Sequence, residues 1–144
     1  MNSAALDALV SFYETMEPQS VEQMGRFYAV DCYFKDPFNE VRRLTDIQEI
    51  FRRMYRHLDE PKFKVSRRMI AEDGCGAVLV WEFMFRMKAW RPTVPRRIHG
   101  ITLLDFDAAG RVSSHRDYWD AAEELYEKLP LVGWMMRGLK RYLR

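Results

Sequence analysis

The apolar residues of this chain repeat with one period before Glu60-Pro61 and another after it. Up to that point they recur every three or four residues, the spacing of one helix face. Beyond it they alternate, the spacing of a strand with one face turned inward. Helices followed by consecutive hairpin-linked strands make an α+β chain. The expectation is three N-terminal helices packed on a curved, mainly antiparallel sheet, with a helical extension at the C-terminus.

Leu6, Leu9, Val10, Tyr13 and Met16 predict a helix over 3–16, ended before Pro18. Ser20 and Gln23 form an S-x-x-Q capping box for a second helix, with Val21, Met24, Phe27 and Tyr28 inward and an end near Val30. Tyr33 and Phe34 suggest a short strand. Thr45 and Gln48 give another box, and Ile47, Ile50, Phe51, Met54 and Leu58 an amphipathic helix from about 46 to 58. Arg52, Arg53 and Arg56 form its solvated face. Phe63, Val65, Met69 and Ala71 belong to a strand that turns at Glu72-Asp73-Gly74. The next strand, Gly76 to Lys88, is apolar on both faces apart from Glu82. An antiparallel strand usually keeps one wet face, so a second copy of the chain is expected on the outer face of the sheet.

A length of 144 residues suits one domain with its own core. Hydrophobic residues at 48% and charged residues at 31% mark a soluble globular chain. The net charge of +2 gives no ground for a nucleic-acid partner. Cys32 and Cys75 have no metal-ligand spacing, and no cluster or Gly-rich loop calls for a metal or cofactor. The first residues lack the regions of a signal peptide, and no apolar run is long enough to span a bilayer, so a cytoplasmic location is expected. Pro130 separates a domain over 1–129 from a basic amphipathic extension over 130–144. That tail either docks over the open end of a cavity or lies on a membrane surface.

Chemistry concentrates in Gly110-Arg111-Val112-Ser113-Ser114-His115-Arg116-Asp117-Tyr118-Trp119. On a strand, His115, Asp117 and Trp119 share one face. They either satisfy each other and anchor the sheet, or form an acid–base pair in a cavity. Tyr13 reads as a core aromatic or as a buried phenol donating into a pocket. Asp36, before Pro37, reads as a turn carboxylate or as a proton acceptor held among Tyr33, Phe34 and Phe38.

The element order and two motifs resemble the nuclear-transport-factor-2-like superfamily. The first is Asp31-Cys32-Tyr33-Phe34-Lys35-Asp36-Pro37-Phe38, similar to the D-x-x-x-x-D-P segment that carries the base of ketosteroid isomerases. The second is Leu104-Asp105-Phe106-Asp107-Ala108-Ala109-Gly110-Arg111-Val112, similar to the hairpin before the family's last strand. The resemblance covers nearly all of 3–122. It implies Asp36 as base, Tyr13 near the oxyanion tyrosine, and Thr102 where ketosteroid isomerases hold a protonated aspartic acid. It also places His115, Asp117 and Trp119 towards the cavity, with Phe34, Trp81 and Phe83 among its walls.

The implied function is a cofactor-free isomerase, cyclase or hydratase-like enzyme. Its substrate would be a small apolar carbonyl or ring-containing molecule. Either His115 is a cation that polarises a carbonyl while Asp36 is the base, or Asp117 orients a neutral His115 that takes the proton. Either route is worth roughly 10²–10⁴-fold in rate. The alternative is a non-catalytic ligand-binding or protein-association domain of the same fold.

Overall fold

The computed structural model describes residues 3–124, 138, 139 and 141. Helix α1 (Ser3–Glu14) leads through a 3-10 helix (Pro18–Arg26) into strands β1 (Tyr28–Lys35) and β2 (Glu40–Val41). Helix α2 (Leu44–His57) follows, then β3 (Leu58–Ile70), β4 (Gly76–Met87), β5 (Arg96–Phe106) and β6 (Val112–Tyr118). A short helix α3 (Ala121–Glu124) closes the continuous part. The strands form one sheet in the order β2-β1-β6-β5-β4-β3. Neighbours are antiparallel except β1 and β6, which run parallel. The chain is therefore α+β, as the change of period predicts.

Period two decides which strand residues are buried. Leu79, Trp81, Phe83 and Phe85 of β4 and Ile98, Thr102 and Leu104 of β5 turn inward. Leu6, Leu9, Val10 and Tyr13 of α1 and Ile47 and Phe51 of α2 meet them from the helical layer. A large apolar side chain fully removed from water contributes roughly 1.5–3 kcal/mol, so this shared interior carries the stability of the domain. On the other face of β4, Val78 and Val80 are half-buried and Met84 is exposed. That face keeps contact with solvent in the single chain, so only one face of the strand is fully dry.

Several local expectations are corrected. The second helix is a 3-10 helix, and Tyr28 opens β1 instead of ending a helix. Val21, Met24 and Phe27 recur at intervals of three, the period of a 3-10 helix. Ser20 serves the turn that starts at Glu17, whose N–H it accepts at 3.1 Å. The Thr45–Gln48 box is not made: α2 starts at Leu44, and Gln48 donates instead to the Val21 carbonyl at 3.0 Å. Glu60-Pro61 does not break the chain, because β3 already begins at Leu58. Its pairing with β4 shifts between Asp59 and Lys62, and β3 is an edge strand, where a proline's missing N–H costs no ladder bond. The helix expected after Asp120 is described only over Ala121–Glu124, where the Asp120 carboxylate accepts the N–H groups of Ala122 and Glu123. The rest of that helix, and all of the 130–144 extension except 138, 139 and 141, lie outside the described residues.

Candidate active site

Strand β6 lies between β1 and β5, so its inner residues meet side chains from both. Thr102 stands directly opposite Asp117, Leu104 opposite His115, and Phe34 beside His115 on the parallel side. One strand further out, Trp81 of β4 is paired with Gly100 of β5. A Cβ at position 100 would run into the Trp81 indole, so the ring can lie across β5 only because that residue is glycine. This brings the indole N–H within 2.7 Å of the Thr102 hydroxyl oxygen.

The result is a relay of hydrogen bonds through the interior. Tyr13 and Tyr28 hydroxyls are 2.6 Å apart, and the Tyr28 hydroxyl is 2.7 Å from His115 Nδ1. His115 Nε2 is 2.9 Å from Asp117 Oδ1, and the Thr102 hydroxyl is 2.5 Å from the same oxygen. Indole only donates and a carboxylate only accepts, so the direction is fixed from that end. Trp81 donates to Thr102, and Thr102 donates to Asp117. A neutral imidazole with its proton on Nε2 also donates to Asp117, accepts from Tyr28 at Nδ1, and leaves the Tyr28 oxygen free to accept from Tyr13. Every buried donor then meets an acceptor. A cationic ring would reverse the bonds to Tyr28 and Tyr13 and leave the Tyr13 proton unpaired in a dry site, which is costly. Burial raises both phenols well above their ordinary value; the Tyr28 contact opposes this at Tyr13, whereas Tyr13 adds to it at Tyr28. Both are donors, not bases.

The relay meets a cleft at Asp117 and, through its indole, at Trp81. The cleft has a volume of about 440 Å³ and is open on one side. Its walls are mostly apolar, with Phe34, Phe63, Trp81 and Phe83 among them and Trp119 and Phe38 packed edge to face at 5.5 Å. Asp36, Asn39 and Asp117 also line it. A smaller inner space of about 30 Å³ touches Tyr13, Thr102, His115 and Asp117. Of the polar relay groups from Tyr13 to Thr102, Asp117 alone lines both spaces. The His115 side chain is 5% exposed and that of Asp117 18%, so the carboxylate is the relay's outlet to the cleft.

Each expected site residue can now be placed. Tyr13, Thr102 and His115 reach the cleft through Asp117, not directly. Both nitrogens of His115 are already taken. Asp36 lines the cleft, but its Oδ1 accepts the N–H groups of Phe38 and Asn39 and the Asn39 amide, as a turn carboxylate does. Phe34, Trp81, Phe83 and Trp119 are wall residues. Tyr28 joins Tyr13 to His115, yet pattern reasoning counted it as a helical core residue. Gly25 was the signal available, since a glycine there marks a stop before Tyr28. Arg53, exposed as expected of the solvated face, also lines the cleft, and so does His57 at the end of α2. Cys32 is buried and its thiol is pushed up to about 12 by burial, with the Asp31 charge adding to it, so it is no nucleophile. Among the described residues no group of three or more His, Cys, Asp and Glu is placed to hold a metal, and no helix is long and apolar enough to cross a membrane.

The SnoaL-like domain model matches residues 9–115, most of the chain, and the protein belongs to that family. Among solved structures, a protein of ketosteroid isomerase-like fold from Catenulispora acidiphila, in complex with trimethylamine, superposes with a TM-score of 0.70 at 15% identity, covering 87% of this chain and 92% of that one. A candidate SnoaL-like polyketide cyclase from Shewanella putrefaciens gives 0.68 at 18% identity, over 87% and 98%. An LEH-like epoxide hydrolase from M. tuberculosis gives 0.65 at 15% identity, over 84% and 79%. At such identities the likeness establishes the fold. No curated protein matches the chain.

Proposed function

We propose that this chain is a cofactor-free acid–base enzyme of the isomerase, cyclase or hydratase kind. Its substrate is a small apolar carbonyl or ring-containing molecule, and Asp117 is the base. One observation carries the reading: a fully paired buried relay ends in a carboxylate that lines an apolar cleft. Thr102 and His115 hold Oδ1, and Oδ2 takes no hydrogen bond among the described residues. Oδ2 is the oxygen available to accept a proton from a carbon next to a carbonyl, or from an attacking water or hydroxyl. His115 and Tyr28 act as positioning residues, and Asp36 shapes the rim. A cleft of this volume and lining suits a small organic molecule.

The test is solvent deuterium exchange into a panel of enolisable cyclic ketones, followed by NMR. The chain is expected to accelerate exchange, and Asp117→Asn to abolish most of it. Absence of any exchange, or equal exchange by the variant, overturns the assignment. A non-catalytic association domain is favoured by a different observation. On the outer sheet face, Ile101, Leu103 and Tyr118 are 40–47% exposed and adjacent in register to Val78, Val80 and Arg116. We propose that a second copy covers this stripe in either case. Light scattering with Leu103→Glu checks it: a dimer that becomes a monomer supports pairing, and a monomer at the outset refutes it.

A further inference from the structure

Helix α2 faces the cleft with Ile50, Arg53, Met54 and His57. These stand at i, i+3, i+4 and i+7, so they form one stripe of the helix, two apolar residues and two basic ones. The other arginines near this helix are all engaged. Arg43 bonds Asp46, Arg52 bonds Glu22, and Arg56 bonds Glu49. Arg42 lies over the Tyr33 ring at 4.8 Å. Glu49, four residues before Arg53, is held by Arg56 and lies 3.7 Å from Arg52. Arg53 makes no hydrogen bond or ion pair among the described residues, and it is exposed at the cleft. The carboxylates of the cleft, Asp36 and Asp117, come from β1's end and β6, not from α2. The cleft is therefore bipolar: acidic residues from the sheet side, an apolar middle, and a basic edge on the helix.

We infer that the ligand of this cleft is an apolar acid, with its carboxylate held at the Arg53 and His57 edge and its hydrocarbon body among Phe34, Phe63, Trp81 and Phe83. A guanidinium presents parallel N–H donors that match a carboxylate in two bonds, and His57 adds a donor one turn along. Repulsion by Asp36 and Asp117 excludes the reverse orientation. The same polarity points the far end of the ligand at Asp117, which fixes where along the molecule a proton would be taken. This inference rests on the cleft being the substrate site proposed above and adds the chemical class that fits it.

The experiment is calorimetric titration of the full chain with octanoate and with octanol, which share a hydrocarbon body and differ in the head. Octanoate is expected to bind about tenfold more tightly than octanol, the size of one charge-assisted contact at a partly exposed site. Arg53→Gln is expected to remove most of that difference, weakening octanoate binding far more than octanol binding. His57→Gln is expected to remove a smaller part. Far-ultraviolet circular dichroism of each variant guards against loss of fold. Equal affinity for the two probes, binding of neither, or equal loss of both in a folded Arg53→Gln chain overturns the inference. Because the exchange assay uses ketones without an acid group, Asp117-dependent exchange combined with no preference for octanoate would sink the inference and leave the acid–base reading standing.

Discussion

The two sides of the cleft use polar residues in opposite ways. On the relay side, Tyr13 of α1 and Tyr28, His115, Thr102 and Trp81 of the sheet are buried, and their hydrogen bonds run to one another or to Asp117. On the helix side, Arg53 and His57 are exposed, and neither side chain makes a hydrogen bond or ion pair among the described residues. Buried polar groups must be satisfied or they cost stability, so a satisfied network serves to hold one atom in place. Groups at an edge pay little for waiting in water and stay free to meet a ligand. Substitutions in the relay should therefore damage both fold and chemistry, whereas substitutions at the helix edge should change ligand selection alone.

The largest effect tests where the relay meets the cleft. Asp117→Asn is expected to lower the exchange rate by roughly 10²–10⁴-fold, and to cost less stability than losing a relay partner, because its amide oxygen still accepts from Thr102 and His115. Asp36→Asn is expected to stay within about tenfold of the parent, because that carboxylate is engaged in its own turn. Equal losses at both positions would place the base with Asp36 after all. Next comes His115→Leu, which leaves the Tyr28 hydroxyl without its acceptor and removes one of the two donors to Asp117. Urea unfolding should show a loss of about 2.5–6 kcal/mol, from the unpaired phenol at about 1–3 kcal/mol and the lost bond to a charged acceptor at about 1.5–3 kcal/mol. His57→Leu, on the helix edge, should stay within about 0.5 kcal/mol. Similar losses for the two histidines would erase the contrast between the sides.

Gly100→Ala is expected to cost about 1–3 kcal/mol, because the new methyl must displace the Trp81 ring. It should also weaken exchange, by moving the donor that orients Thr102. A further effect appears at high pH. Phenols in an unfolded chain titrate near pH ~10, and burial raises Tyr13 and Tyr28 well above that value. Their contribution is complete below the unfolded value and falls as pH rises through it, because the unfolded chain then releases protons that the folded chain retains. Stability measured from about pH 9 to pH 12 should decline, and Tyr13→Phe should flatten the decline. An unchanged slope would show that these phenols are not held as the relay requires.

Much of the architecture was legible because burial imposes its period on the sequence. Alternation from Phe63 onward locates the strands and sets His115, Asp117 and Trp119 on one face. The family resemblance points to Thr102, which is paired with Asp117 in register. Tyr28 was misplaced because three apolar residues at intervals of three look like a helix of either kind. The arginines of α2 were indistinguishable in sequence, since all three lie on the polar side of one amphipathic stretch.

By itself, then, the order of residues determined the class of fold and the side of each strand that turns inward. These are local consequences of how often an apolar side chain recurs. Only the tertiary structure decided which polar groups share hydrogen bonds, and it joined Tyr13 to Tyr28 and Tyr28 to His115 across 15 and 87 residues of chain. It also decided that Glu22 and Glu49 hold Arg52 and Arg56 and leave Arg53 at the cleft. Partnership of that kind depends on distances between separate elements, and no local period records it.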